Sequence, residues 1–277
     1  MATCFDLTIA DGVAHVSLCR PDQLNAMNAD FWTELPEMIG QIDADASARA
    51  IVISSTGKHF SAGMDLSVFT ADSSLLGLVT AKEEGRRRAN LWLVVQKLQR
   101  SFTALEQARM PVLVAVQGGC IGGAVDMICA ADMRYASADA FFCIQEINIG
   151  MTADVGTLQR LPKIIPEGIA RELAYTGDRM SAQRAAEVGL INQVFDDHES
   201  LVDGVLEIAA RIATKSPLAI WGTKEMINYT RDHTVADSLR YMAGWQSGMF
   251  QPADMIEEFE AKVAKRPGNF EEIPPLP

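Results

Sequence analysis

The chain has 277 residues, 48% hydrophobic and 22% charged, enough apolar material for one large domain or a core with an appendage. Its 24 Lys and Arg against 36 Asp and Glu leave a net charge of −12, which argues against a nucleic-acid partner, since such a partner needs a basic face. Five cysteines without a C-x-x-C pair and four histidines without i,i+4 spacing offer no zinc motif, so no metal is expected and the thiols are read as reduced.

No apolar run approaches the ~18 residues of a membrane span. Residues 1–6 lack the basic and apolar regions of a leader. A cytoplasmic protein without membrane attachment is the expectation.

In chain order, residues 3–9 and 13–18 read as strands joined at Asp11-Gly12, a hairpin dipeptide. Asn28 is placed to cap a helix running to about residue 42, with Pro36 inside it as a potential kink. Residues 50–54 form a short β-branched run, read as a buried strand, and 56–66 a loop with Gly57 and Gly63. Residues 70–84 look irregular, and helical periodicity follows over 85–108. A strand at 111–116 leads into Gly118-Gly119-Cys120-Ile121-Gly122-Gly123, read as a glycine turn, and an apolar helix at 124–131. Short strands near 133–136 and 141–143 precede a loop to Asp154. Strands alternating with helices predict an α/β architecture with a largely parallel sheet. From about residue 198 the spacing is helical only, over 198–214, 217–231, 235–249 and 252–264. The expected division is therefore a core at 1–197 and a helical oligomerisation region at 198–277.

Three features point to chemistry. The glycine turn lacks the second glycine of a dinucleotide fingerprint, since Gly118 would need a glycine at 120 and finds Cys120, and it lacks the Lys-Ser/Thr of a P-loop. It places free N–H groups at a helix start, where negative charge is stabilised, or it merely allows close helix packing. The loop His59-Phe60-Ser61-Ala62-Gly63-Met64-Asp65-Leu66 follows another strand, and its Met64 amide is a second candidate donor for an oxyanion. Asp126, Glu146 and Asp154 are acids on an apolar background, suited to proton transfer once burial raises their pKa values. The alternatives are a first-turn acid for Asp126 and an N-cap for Asp154. His59 is read as structural, and Ser61, Ser181 and Cys120 lack the surroundings of a nucleophile.

The set Arg20-Pro21 with Asn25-Ala26-Met27, Phe60 to Leu66, and Gly118 to Asp126 with Ala131-Asp132-Met133-Arg134 resembles the crotonase (enoyl-CoA hydratase/isomerase) superfamily, in that family's order. Gly118 to Asp126 and Ala153 to Lys163 resemble its Δ3,5-Δ2,4-dienoyl-CoA isomerase subgroup, whose three acids fall on Asp126, Glu146 and Asp154. A hydratase would carry Glu at 126 and normally glycine at 154. Ala124, where the subgroup usually has glycine, is a departure.

The resemblance implies a spiral of ββα units with C-terminal helices for a homotrimer or hexamer, and no metal or redox cofactor, coenzyme A being part of the substrate. It implies oxyanion-hole amides at Met64 and Gly123, with Ser61, Ala62, Gly63, Met64, Asp65 and Gly123 at the CoA thioester. The reaction implied is 3,5-dienoyl-CoA to 2,4-dienoyl-CoA in unsaturated fatty-acid β-oxidation. Glu146 would serve C2 and Asp154 C6, or the reverse, with Asp126 polarising them. The alternatives are a Δ3,Δ2-enoyl-CoA isomerase, a hydratase, or a non-catalytic CoA-binding member. Phe69, Leu75, Leu76, Leu78 and Val79 are candidates for the acyl pocket.

Overall fold

The Asp11-Gly12 pair turns β1 (Phe5–Ala10) back on β2 (Val13–Leu18) as an antiparallel hairpin, as the dipeptide predicts. The structure, a computed structural model, describes residues 3–69 and 82–277. The remaining order is α1 (Phe31–Ala44), β3 (Ala50–Ser55), α2 (Glu84–Gln107), β4 (Val112–Val116), β5 (Gly119–Ile121), α3 (Gly123–Ala130), β6 (Met133–Ser137) and β7 (Phe141–Cys143). There follow α4 (Thr157–Arg160), α5 (Glu167–Thr176), β8 (Met180–Ser181), α6 (Ala182–Glu187), β9 (Gln193–Phe195), α7 (His198–Ala213), α8 (Pro217–Thr230), α9 (Val235–Met249) and α10 (Pro252–Ala264).

A six-stranded sheet runs β1-β2-β3-β4-β6-β9, parallel from β2 onward, beside a small sheet β5-β7-β8. The central strands are buried on both faces, which is why they read as continuous apolar runs. Ile51, Ile53, Val112, Val114 and Val116 face the main core with α1, α2 and α3. Ala50, Val52, Leu113 and Ala115 face the other way, onto Leu201, Val205, Ala209 and Ala213 of α7. So α7, expected within the helical appendage, packs on the sheet; its i,i+4 apolar stripe is the physical reason. Helix α8 is tied to the core as well, its buried Lys224 donating to the Leu105 and Met110 carbonyls at 2.8 and 3.0 Å, whereas no residue of α9 is buried.

Three local readings need correcting. Helix α1 starts at Phe31 after Asp30, and Asn28 accepts the Phe31 N–H at 3.0 Å from two residues further upstream. The glycine turn contains β5, which pairs in parallel with β7. The expected loop before Asp154 holds a 3₁₀ helix, Gln145–Ile149, which carries Glu146. Pro36 is indeed inside α1 and cannot donate to the Trp32 carbonyl; the Ser101 hydroxyl of α2 fills that place at 3.1 Å. The acyl-pocket candidates Leu75, Leu76, Leu78 and Val79, and the Phe69 side chain, lie outside the described residues. Among the described residues, no helix is long and apolar enough to cross a membrane.

Candidate active site

The site grows from two chain segments that follow β3 and β4 and are stitched together. Ser61 pairs with Cys120 as a parallel bridge, the Ser61 amide donating to the Gly119 carbonyl and the Ile121 amide to the Ser61 carbonyl, each at 3.1 Å. A second bridge joins Met27 and Met64: the Met27 amide donates to Gly63 at 2.8 Å and the Asp65 amide to Met27 at 3.1 Å. In a parallel bridge, the residue between those two bonds turns its own N–H away from the partner. The Met64 amide is therefore released from this pairing.

The Gly123 amide, first in α3, is one of the orphan donors of a helix start. The two lie together: a carbon built on Gly123 would sit 3.9 Å from Met64 N, and one built on Gly63 3.3 Å from Gly123 N. Neither amide donates to a backbone carbonyl among the described residues.

The rest of the 61–65 loop acts as scaffold. Ser61 is fully buried, its hydroxyl donating to the Asn25 carbonyl at 2.8 Å and accepting the Gly63 amide at 3.1 Å. The Ala62 amide goes to Leu24; Asp65 accepts the Ser67 amide at 2.9 Å, and the Ser67 side chain first and this amide second lower the pKa of its carboxyl. Asn25, whose structural role sequence reasoning missed, fastens the segment by donating to the Thr56 and His59 carbonyls at 2.8 and 3.1 Å. His59 Nδ1 accepts the Gly119 amide at 2.8 Å, and burial lowers its pKa, so it is a neutral structural acceptor.

All three predicted acids converge. Asp126, fully buried on α3, accepts the Thr157 amide on Oδ1 at 2.5 Å; its Oδ2 has no hydrogen-bond partner among the described residues. Burial pushes its pKa up to about 6, with the Thr157 amide pulling against that and Asp154 adding to it. Glu146 also has a buried oxygen, Oε2, without a partner among the described residues. Its pKa is pushed up to about 7, first by burial and then by the charges of Asp126 and Asp154. Asp154 sits at the rim, open to solvent in the single chain, yet neighbouring protein still raises its pKa by desolvation.

Gly122 joins the acids to the amide pair. At φ 55° and ψ −122° it occupies a backbone region that L side chains avoid, and a carbon built there would lie 3.3 Å from Glu146 Oε1. The Glu146 carboxyl thus rests on the residue preceding the Gly123 amide. Sequence reasoning also missed the Thr157 amide as the ligand of Asp126; the signal available was Gly156 just ahead of a helical turn.

Two amides side by side are suited to an oxygen that gains negative charge. Acids with raised and mutually coupled pKa values can divide into one ionised and one protonated member near neutral pH. Among the described residues, no group of three or more His, Cys, Asp or Glu side chains could hold a metal ion. A cavity of about 840 Å³ lies behind α4, lined by Gln99, Glu106, Arg134, Arg160, Lys163 and Arg231 among others, and none of the three acids lines it.

The sequence matches the enoyl-CoA hydratase/isomerase family over residues 8–273. It is 43% identical over 257 residues to the mitochondrial Δ(3,5)-Δ(2,4)-dienoyl-CoA isomerase of Homo sapiens, covering 92% of this chain and 77% of the relative. The peroxisomal Δ(3,5)-Δ(2,4)-dienoyl-CoA isomerase of Arabidopsis thaliana is 40% identical over 261 residues, covering 94% and 93%. The crystal structure of an enoyl-CoA hydratase from Bacillus anthracis superposes with a TM-score of 0.84 at 28% identity, covering 97% of this chain and 99% of that one.

Proposed function

The chain belongs to the enoyl-CoA hydratase/isomerase family, and on that premise we propose that its three-acid cleft converts 3,5-dienoyl-CoA thioesters into 2,4-dienoyl-CoA thioesters. The protein is an isomerase of the kind its relatives are named for, a role that fits the β-oxidation of unsaturated fatty acids. The observation that carries the reading is the pair of buried carboxyl oxygens, on Asp126 and Glu146, that have no partner among the described residues, beside two amides that donate to no backbone carbonyl among them.

The chemistry follows from the substrate. Removing a proton from C2 of a 3,5-dienoyl thioester spreads negative charge over the thioester oxygen, C2, C4 and C6. The Met64 and Gly123 amides hold that oxygen, a contribution of about 2.7–4 kcal/mol per donor in comparable sites. A proton then arrives at C6, the double bonds settle at 2,4, and no atom is gained or lost. C2 neighbours the carbonyl carbon, so the acid resting beside the amide pair serves it. That acid is Glu146, whose pKa of about 7 suits transfer near neutral pH. Asp154, at the rim, delivers the proton to C6, four carbons along. Asp126, electrostatically coupled to both, tunes their proton affinities. The thioester carries its own coenzyme A, and the scheme calls for no metal or redox cofactor.

The assembly we propose is a homotrimer or a dimer of trimers. No residue of α9 is buried in the single chain, and Val235, Leu239, Ile256, Phe259 and Val263 expose apolar surface on α9 and α10. Sedimentation of the purified protein reads the stoichiometry; a monomer at micromolar concentration would refute this assembly. Five free thiols fit a reducing compartment, of which the cytoplasm is one and the mitochondrion and peroxisome of the relatives' names are others.

The test of the reaction is ultraviolet absorbance with a 3,5-dienoyl-CoA, with crotonyl-CoA in parallel. A fast rise on the dienoyl substrate with little crotonyl hydration is expected. Hydration alone would overturn the isomerase reading.

A further inference from the structure

The residue 154–157 turn, which carries Asp154 and meets Asp126, is pinned by α2. The Asp154 carbonyl accepts Gln99 Nε2 at 2.8 Å. Arg160, the last residue of α4, reaches back under the turn. Its Nη2 donates to Glu106 Oε2 at 2.7 Å and to Thr103 Oγ1 at 3.3 Å, and its Nη1 to the Val155 carbonyl at 3.4 Å. The second oxygen of Glu106 accepts Arg231 Nη1 at 3.0 Å, at the end of α8.

The backbone is shaped around this guanidinium. Gly156 stands at φ 137° and ψ −10°, and a carbon built on it would lie 1.8 Å from Arg160 Nη1. No side chain fits there while the arginine keeps its place. The next amide, Thr157, is the one that Asp126 accepts.

We propose that Arg160, locked by Glu106, is a positioning residue for the isomerisation: it holds the turn that presents the Thr157 amide to Asp126 and Asp154 to the cleft, and it places a positive charge near Asp126. The proposal rests on the reading of the site given above. It gives the 840 Å³ cavity's charged wall a function, since that wall contains the Arg160–Glu106–Arg231 chain.

Charge makes the role measurable. Asp126 is faced by Glu146, Asp154 and Arg160, and by the thiols of Cys120 on β5 and Cys129 on α3. Burial pushes both thiols well up, Cys129 to about 12, so they stay neutral while the acids titrate. Arg160 itself is faced by Glu106 from α2 and by Arg231 from α8. Removing the Arg160 charge therefore raises the proton affinity of Asp126 and, because the acids titrate together, the first macroscopic pKa of the cluster.

The experiment compares wild type with Arg160→Met, Arg160→Lys and Glu106→Gln, measuring kcat and KM on a 3,5-dienoyl-CoA against pH. Arg160→Met is expected to lower kcat about tenfold or more, change KM less than threefold, and move the acidic limb of the kcat profile to higher pH by about half a unit or more. Arg160→Lys, which keeps the charge, is expected to return the limb toward wild type. If Arg160→Met does not fold, Glu106→Gln, which frees the guanidinium, is expected to lower kcat in the same sense. An unchanged kcat, or a loss of kcat with an unmoved limb, overturns the proposal. Carboxyl ¹³C NMR titration of Asp126 in wild type and Arg160→Lys or Arg160→Met reads the same coupling without substrate. An inactive wild type would thus count against the reaction, and an Asp126 titration unchanged in Arg160→Met would count against Arg160.

Discussion

Asp126 is held at one oxygen and free at the other: Oδ1 accepts the Thr157 amide at 2.5 Å, while Oδ2 is buried without a hydrogen-bond partner among the described residues. A buried polar atom left in this way costs free energy. The arrangement persists because neighbouring backbone fixes it, and it keeps one face of the carboxyl for the other acids and the substrate.

The roles of Glu146 and Asp154 separate by isotope exchange. Glu146→Gln is expected to lower kcat by about 10²–10⁴ and to stop exchange of the C2 hydrogen with D₂O. Asp154→Asn is expected to lose product formation by a similar factor while C2 exchange continues. The opposite pattern would swap the two acids.

Stability should respond to pH through Asp126. Its folded pKa of about 6 lies above the ~3.9 of an unfolded Asp, so the folded chain binds more protons between those values. That contribution is complete below about pH 4 and is lost as pH rises through 6. Asparagine resembles the protonated acid at every pH. Asp126→Asn is therefore expected to raise stability relative to wild type by about 1–3 kcal/mol at pH 8 and by little at pH 4. Urea midpoints at the two pH values measure it; equal differences at both would contradict the raised pKa.

Gly122→Ala places a methyl 3.3 Å from Glu146 Oε1 on a backbone that only glycine adopts freely. The strain is about 1–3 kcal/mol. A lower Tm and a fall in kcat larger than the change in KM are expected, and a variant with wild-type kcat would show that Gly122 does not set the Glu146 carboxyl.

Pro36 and Ser101 should be energetically coupled across α1 and α2. Ser101→Ala leaves the Trp32 carbonyl without the hydroxyl at 3.1 Å, at a cost of about 1–3 kcal/mol. Pro36→Ala supplies an N–H four residues on from Trp32. The double variant is expected to recover part of the loss in a denaturant cycle; strictly additive effects would argue against the coupling.

The sequence carried the β1–β2 hairpin, the buried parallel strands and the four C-terminal helices, because dipeptide chemistry and apolar periodicity are local. It also carried the acids, since a charge in Ala124-Val125-Asp126-Met127-Ile128 has no local reason to be there. It missed β5, whose three residues make sense only against β7, and the 3₁₀ helix under Glu146. It treated α7 as appendage because a helical stripe does not say which surface it covers.

By itself, then, the sequence determined which groups are available: three carboxyls, two glycine-flanked amides, and the strands that end near them. Only the tertiary structure decided that Met64 and Gly123 lie side by side, that Glu146 rests on Gly122, and that the Thr157 amide meets Asp126 while Arg160 is tied to Glu106. Those are relations between residues far apart in the chain. Direction, burial and electrostatic coupling are properties of the packed arrangement, which no single segment carries.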